Sequence, residues 1–580
     1  MPSPPPTWWK DGVCYQIWPS SYKDSNNDGL GDIPGILPTL DYLHDLGIDI
    51  IWLCPTYASP QADMGYDISD FEAIYPPFGT MQDMETLISE VHRRGMRIIL
   101  DLVINHTSDQ HAWFQESRKS RDNKYSDFYM WQPPKYDENG TRRPPNNWRA
   151  SFGGSAWEYV PKRDEYYLHL FTKEQPDLNW ENPQARKAIY ETAIEFWLKK
   201  GVDGFRVDVV NVYSKDVSFP DARIMEPGAE TQYPFEHILN RPRIHEFLKE
   251  MRRDVLSKYG DGDGDVIMVG ECMMTEQEEI LRYVSAGEKE LNMVFDFAMM
   301  FVTMEIDEGA AKEKEWKLPE LKGAVAKPQL LNQDHADAWS SVFAENHDGP
   351  RSLGRFTTTD GEFRIKAGKL LAIMLATLTG TLFIYQGQEI GMVNVPDSWT
   401  IDDFRDVASL NSWRETSARY VGDEEKLGKA LQMLRKVTRD NARTPVQWDD
   451  GPNAGFCPDG INPWIKVHEN YKEVNVAAAQ KDPDSILAMW KRVLKLRKEY
   501  RDVLVYGNFE IYNMDDLKVF TYVKSFEGTK ILVILNFSSE EHDLDVPLNL
   551  RGTDMELLVA NVDQLEEKLS AWEARAYLVR

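Results

Sequence analysis

The chain has 580 residues, 42% of them hydrophobic, which exceeds one ordinary domain and is enough to bury a large core. Its formal net charge of -28 excludes nucleic acid and other polyanions as partners, since their binding draws on clustered Lys and Arg, and it suits a neutral ligand. No stretch is long and apolar enough to span a bilayer, and the start, MPSPPP, lacks the basic and apolar runs of a secretory signal, so a cytoplasmic location away from membranes is expected. Cys14, Cys54, Cys272 and Cys457 are too few and too scattered for a disulfide framework and are expected as buried free thiols.

Strand-like runs recur at 13–19, 48–53, 97–104, 202–207, 266–270, 292–297, 341–344 and 381–385. Between most of them lie segments of helical period, at 36–46, 81–94, 185–200, 243–259 and 363–378. Alternation of this kind implies parallel strands with crossover helices, and eight strands suffice to close a (β/α)8 barrel. One connection is too long for a loop, and it predicts an inserted domain over residues 107–182 after the third strand. That insert carries Trp113, Trp131, Trp148, Trp157 and Trp180, which suit either sugar stacking or a small aromatic core. The acidic run at 261–265 reads as a solvated turn. After a helix at 485–500, short alternating runs at 519–523, 530–535, 544–546, 555–562 and 576–579 predict an antiparallel β domain. The expected division is therefore barrel at 1–106 and 183–504, insert at 107–182, and C-terminal domain at 505–580.

Charged residues stand where four of the strands end, in DLVINH (101–106), GFRVD (204–208), VGE (269–271) and ENHD (345–348). Barrel strands converge at their C-terminal ends, so these segments would pool carboxylates, histidines and an arginine in one pocket. Glycoside cleavage needs such a set: one group protonates the leaving oxygen and another attacks the sugar carbon or activates water. A single acidic strand end is more often a helix cap or an ion-pair member, and only the ordered set carries the argument.

Taken in order, these four motifs resemble those of glycoside hydrolase family 13, the α-amylase family. GYD (65–67), FGGSAW (152–157), QPDLNW (175–180), YQGQE (385–389) and RDNARTPVQW (439–448) narrow the likeness to the oligo-1,6-glucosidase and maltase branch, particularly its fungal intracellular α-glucosidases. The resemblance covers essentially the whole chain. It implies Asp208 as nucleophile, Glu271 as acid/base and Asp348 as the third carboxylate, gripping sugar hydroxyls. Arg206, two residues before Asp208, shares its face of the strand and is expected to keep it ionised, whereas Glu271 needs a raised pKa to hold its proton. His106 and His347 resemble the hydroxyl-binding histidines of the first subsite, and Tyr66 the residue that stacks on the first glucose. Asp67 and Arg439, with Arg443 as an alternative to the latter, resemble the pair that closes the pocket beneath that glucose and makes such enzymes exo-acting.

Segment 24–32, DSNNDGLGD, alternates oxygen donors around glycines, as a hard cation asks. It begins like an EF-hand loop but has no glutamate at the twelfth position. Relatives hold a structural calcium at the matching segment, which implies Asp24, Asn26, Asp28, Leu30 and Asp32 as ligands here and no cofactor for catalysis. The implied partner is a small oligosaccharide, met by a monomer or weak homo-oligomer. Val209, directly after the nucleophile, goes with α-1,6 cleavage in this branch, while Met273 stands where its isomaltases carry a polar residue. An α-1,4-preferring maltase or sucrase is the nearest alternative. A sucrose isomerase is disfavoured because no arginine-rich stretch stands near 304–307, and a non-catalytic relative because the triad is intact.

Overall fold

The computed structural model describes residues 7–260, 266–307, 310–544 and 546–580. The expected turn at 261–265, and MPSPPP at the start, lie outside the described residues.

Eight parallel strands form the central sheet: β1 Val13–Ile17, β2 Ile50–Leu53, β3 Arg97–Leu102, β4 Gly204–Val207, β5 Ile267–Cys272, β6 Met293–Asp296, β7 Ser341–Val342 and β8 Thr381–Tyr385. Their order is β6-β5-β4-β3-β2-β1-β8-β7, and the gap is spanned where Ser341 Oγ donates to the carbonyl of Val294 at 2.9 Å. This is the expected barrel, nearly closed. Strands covered on both faces read as apolar runs, and β1, β2 and β5 are buried along their whole length.

Helices cover the outside and set where the strands end. Met81–Arg93 opens on a capping box, in which the Thr80 hydroxyl accepts from the Asp83 amide and the Asp83 carboxylate from that of Thr80. The helix expected at 185–200 instead starts at Pro183, with Asn182 as its cap, and widens into a π turn over Tyr190–Glu195. A seventeen-residue helix, Leu318–Asp334, was not legible: Pro328 lies inside it, and its buried residues include Lys322 and Gln329 beside the apolar ones.

The insert folds over the third strand end around a three-stranded sheet, with Trp131–Gln132, Glu165–Leu168 and Trp157–Val160 side by side. Its tryptophans build a core. Trp148 and Trp180 are fully buried, Trp157 and Trp113 nearly so, and Trp131 packs flat on Phe114 at 5.8 Å beneath the guanidinium of Arg163.

Five antiparallel strands form the C-terminal domain: β9 Asn508–Tyr512, β10 Val519–Phe526, β11 Thr529–Asn536, β12 Met555–Ala560 and β13 Ala574–Val579, in the order β9-β10-β11-β13-β12. The strand expected at 544–546 is replaced by the two-residue His542–Asp543 beside Lys568–Leu569, Asp545 being outside the described residues, and β9 was missed. The domain docks on the barrel where Lys524 donates to the Thr379 hydroxyl and the Tyr522 hydroxyl meets that of Thr377 at 2.6 Å. Within the barrel, Arg497 donates to the carbonyls of Ala376, Leu378 and Gly380, and within the C-terminal domain Lys524 also donates to the Gly507 carbonyl at 2.6 Å. All four cysteines are buried and free. Among the described residues no helix is long and apolar enough to cross a membrane.

Candidate active site

Three carboxylates from β3, β4 and β5 surround one guanidinium. Arg206 is 2% exposed; its Nη1 lies 2.6 Å from Asp101 and 2.7 Å from Asp208, and its Nη2 holds Glu271. Residues 206 and 208 share a face of the chain because side chains alternate along a strand. The chain turns at once: Val209 sits at φ 35°, a conformation costly for a β-branched residue, and in it the Val209 amide donates to Glu271 at 3.1 Å.

Arg206 pairs with Asp208 as expected, but it is not the only influence on that carboxyl. Burial, with Glu271 and Asp101 close by, outweighs the guanidinium and pushes the Asp208 carboxyl well above its usual range. One cation is thus shared among three carboxylates.

Asp348 follows β7 and has the opposite fate. Burial pushes its carboxyl up, but His347 at 3.0 Å, Arg439 at 3.5 Å and Arg443 at 3.0 Å outweigh that and hold it well below the usual carboxylate range. His347 is fixed on its other edge by the Gln16 amide at 2.8 Å, and its Nε2 also meets the Tyr66 hydroxyl at 2.7 Å. Tyr66 lies flat against His347 with ring centroids 5.4 Å apart, and Trp18 stacks on both. His106 Nε2 donates to the Tyr66 carbonyl at 3.0 Å, and burial lowers its pKa. Behind it, Asn105 bridges to Asp177, which pairs with the fully buried Lys215 at 2.9 Å. All three expected catalytic carboxylates, with Arg206, both histidines, Tyr66 and Val209, are thus brought to one place.

The expected Asp67–Arg439 pair is corrected. Asp67 accepts from the Ser59 hydroxyl and from the amides of Ala62 and Asp63, and as a buried cap of its own loop it is pushed up to about 6. Met64 and Gly65, both at positive φ, turn the chain so that Asp63, and not Asp67, meets Arg439 at 3.1 Å. Gln175 donates to the other Asp63 oxygen at 3.2 Å. Arg443 lines the same wall under Asp348, so both arginines are used. Sequence reasoning also missed Gln16, Trp18 and Trp52, the last donating to Asp101 at 3.0 Å, and Asp406, which accepts from Arg439 at 2.7 Å. Only Asp63 left a signal, two residues before GYD.

In segment 24–32 the donors are hard oxygens and suit calcium by chemistry. In this conformation Asp24 accepts from the amides of Asn27 and Gly29, Asp32 from those of Ser25, Asn26 and Gly35, and Asp28 from that of Leu30. Asn26 likewise accepts from the amide of Asp28. A cation would therefore have to share these carboxylates with the loop. Among the described residues no three His, Cys, Asp or Glu side chains stand close enough together to hold a metal.

The model of the α-amylase catalytic domain matches residues 16–507. An α-glucosidase of Candida albicans is 48% identical over 577 residues, covering 99% of each chain, and an oligo-1,6-glucosidase of Parageobacillus thermoglucosidasius is 45% identical, again over 99% of each. Among solved structures, a trehalose-6-phosphate hydrolase of Bacillus licheniformis superposes with a TM-score of 0.89 at 40% identity, covering 99% of this chain and all of that one. The fold, the ordered motifs and these likenesses converge: the chain belongs to the α-amylase family, glycoside hydrolase family 13, as a relative of its α-glucosidases and oligo-1,6-glucosidases.

Proposed function

We propose that the protein is an exo-acting, retaining α-glucosidase that releases terminal glucose from short oligosaccharides and prefers the α-1,6 linkage. The observation that carries the retaining reading is the shared guanidinium: Asp208 and Glu271 sit on the two terminal nitrogens of Arg206. Such sharing keeps two carboxyls at the short separation, roughly 5 Å, that double displacement needs. In this reading Glu271, in its acid form, protonates the leaving oxygen while the Asp208 carboxylate attacks the anomeric carbon. Water, deprotonated by Glu271, then releases glucose with its α configuration kept. Asp348, held anionic by its three neighbours, binds sugar hydroxyls and stabilises the positive charge that develops on the ring.

The exo reading rests on the wall that Arg439 builds with Asp63 and Asp406 beside Asp348, in the place where the resemblance expects the pocket to be closed. Linkage preference rests on Val209, which belongs to an apolar cluster against which Met273 packs. Met273 favours the second reading, an α-1,4-preferring enzyme, because a polar partner for the leaving sugar is missing there. We further propose a cytoplasmic, monomeric or weakly associating enzyme with a structural calcium at 24–32.

Initial rates on isomaltose, maltose, sucrose and trehalose at equal concentration, with the first-formed anomer read by NMR, test the reading. Isomaltose is expected to have the highest kcat/KM and α-glucose to appear first. No glucose from any of the four, or β-glucose first, overturns it.

A further inference from the structure

Asp406 touches none of the groups assigned to chemistry, yet it is the carboxylate on which both arginines beneath Asp348 converge. It is 1% exposed, Arg439 Nη2 lies 2.6 Å from its Oδ1, and Arg443 Nη1 lies 4.0 Å from the same oxygen. That Arg443 nitrogen is buried with no hydrogen-bond partner, so Asp406 is the counter-charge that holds it. Charges then alternate along Asp63, Arg439, Asp348 and Arg443, with Asp406 closing the ring from behind.

The position of Asp406 is itself fixed. It caps the helix Val407–Arg419, its carboxylate accepting from the amides of Ala408 and Ser409 and from the Ser409 hydroxyl at 2.6 Å. Further along that helix, Asn411 donates to the Phe152 carbonyl at 3.1 Å, and Glu415 pairs with Arg149 at 2.9 Å, both partners lying in the inserted domain. Phe152 in turn lies under the Arg439 guanidinium, 4.9 Å from it. The helix therefore spans from the insert to the arginines of the pocket.

Resting on the α-glucosidase reading, we propose that Asp406 is a positioning residue: through Arg439 and Arg443 it sets where Asp348 meets the terminal glucose. Without that carboxylate the two arginines would crowd toward Asp348 and reduce its reach to sugar hydroxyls. A helix cap alone would have no such consequence, and this separates the two roles.

The test compares Asp406→Asn and Asp406→Ser, which both keep a capping oxygen but remove the charge, with Ser409→Ala, which weakens the cap and keeps the charge. Glucose binding by calorimetry reads the first subsite directly, alongside KM and kcat on the best disaccharide. Either Asp406 variant is expected to weaken glucose binding and raise KM at least tenfold with a smaller change in kcat, while Ser409→Ala lowers Tm and leaves both constants within twofold. Unchanged glucose affinity in a folded Asp406 variant, or a loss in Ser409→Ala that matches it, overturns the proposal. Wild-type protein that binds glucose but turns over no α-glucoside would instead count against the α-glucosidase reading.

Discussion

Asp440 should make the enzyme less stable as pH rises through the mildly acidic range, and replacing it with asparagine should remove that dependence. Its carboxyl is fully buried and is pushed up to about 6, first by burial and then by Asp406, against the pull of the backbone amides and Arg443. Oδ2 accepts from the amides of Arg405 and Asp406 at 2.7 and 3.0 Å, while Oδ1 has no partner. A carboxyl whose folded pKa is raised contributes stability below its unfolded value near 3.9, and that contribution is lost as pH climbs through the folded value. The rise from an unfolded value of about 3.9 to a folded one of about 6 corresponds to about 3 kcal/mol. With an unfolding entropy of roughly 2.1 cal/mol/K per residue, a chain of 580 residues converts this to about 2 °C in Tm. Asparagine keeps the accepting oxygen and places an amide where Oδ1 is unpartnered. Calorimetric scans of wild type and Asp440→Asn from pH 4 to 7.5 should show the variant gaining about 2 °C on the wild type as pH rises. Other groups titrate alike in both proteins, so a difference that stays flat with pH would refute the reasoning.

Asp208→Asn should abolish turnover with the fold intact, and Glu271→Gln should lose roughly 10²–10⁴-fold on disaccharides but much less on activated aryl glucosides, which need little protonation; equal losses on both substrates would remove Glu271 from its role. Chelation, or Asp28→Ala, should lower Tm more than it weakens glucose binding, and an unchanged Tm would leave segment 24–32 as a self-capped loop. Lys524 is fully buried beside Arg497, and burial lowers its pKa well below the usual lysine value. Lys524→Met should therefore raise Tm at pH 7, where charging the lysine costs most, and less near pH 10; a lower Tm at pH 7 would count against this.

What was legible in the sequence follows from how far each signal reaches. Apolar runs gave all eight barrel strands, because strands sealed between helices and a filled interior leave no polar face to confuse the period. The catalytic carboxylates were legible because each is tied to a strand end, a position with a fixed direction. Asp63 was assigned as Asp67 because the outcome hangs on positive φ at Met64 and Gly65, which reverses the facing of residues four apart and leaves no mark in residue type. Asp406 was invisible for a related reason, since its helix lies outside the barrel's alternation and its partners are thirty or more residues away. The surroundings of Asp208 were read from one neighbour, Arg206, when burial and two further carboxylates also act on it.

Linkage preference concentrates on a residue that serves both the chemistry and the leaving sugar. The backbone of Val209 delivers an amide to Glu271 in a strained conformation, while its side chain joins the apolar cluster of the insert. Val and Thr are nearly the same shape, so Val209→Thr leaves the strain and the amide in place and exchanges one methyl for a hydroxyl. Such a hydroxyl is buried and needs a partner, which a leaving sugar with a free group at that wall can supply. The exchange is worth about 1–3 kcal/mol, enough to reorder two substrates without excluding either. Val209→Thr should therefore raise kcat/KM on maltose relative to isomaltose by roughly ten-fold or more while leaving aryl glucoside turnover within a few-fold. Loss of activity on all three substrates together would mean that the substitution had disturbed the Glu271 amide, and the preference would then have to be sought at Met273. A wild type that already prefers maltose would remove Val209 as the determinant and leave the assignments of Asp208, Glu271 and Asp348 standing.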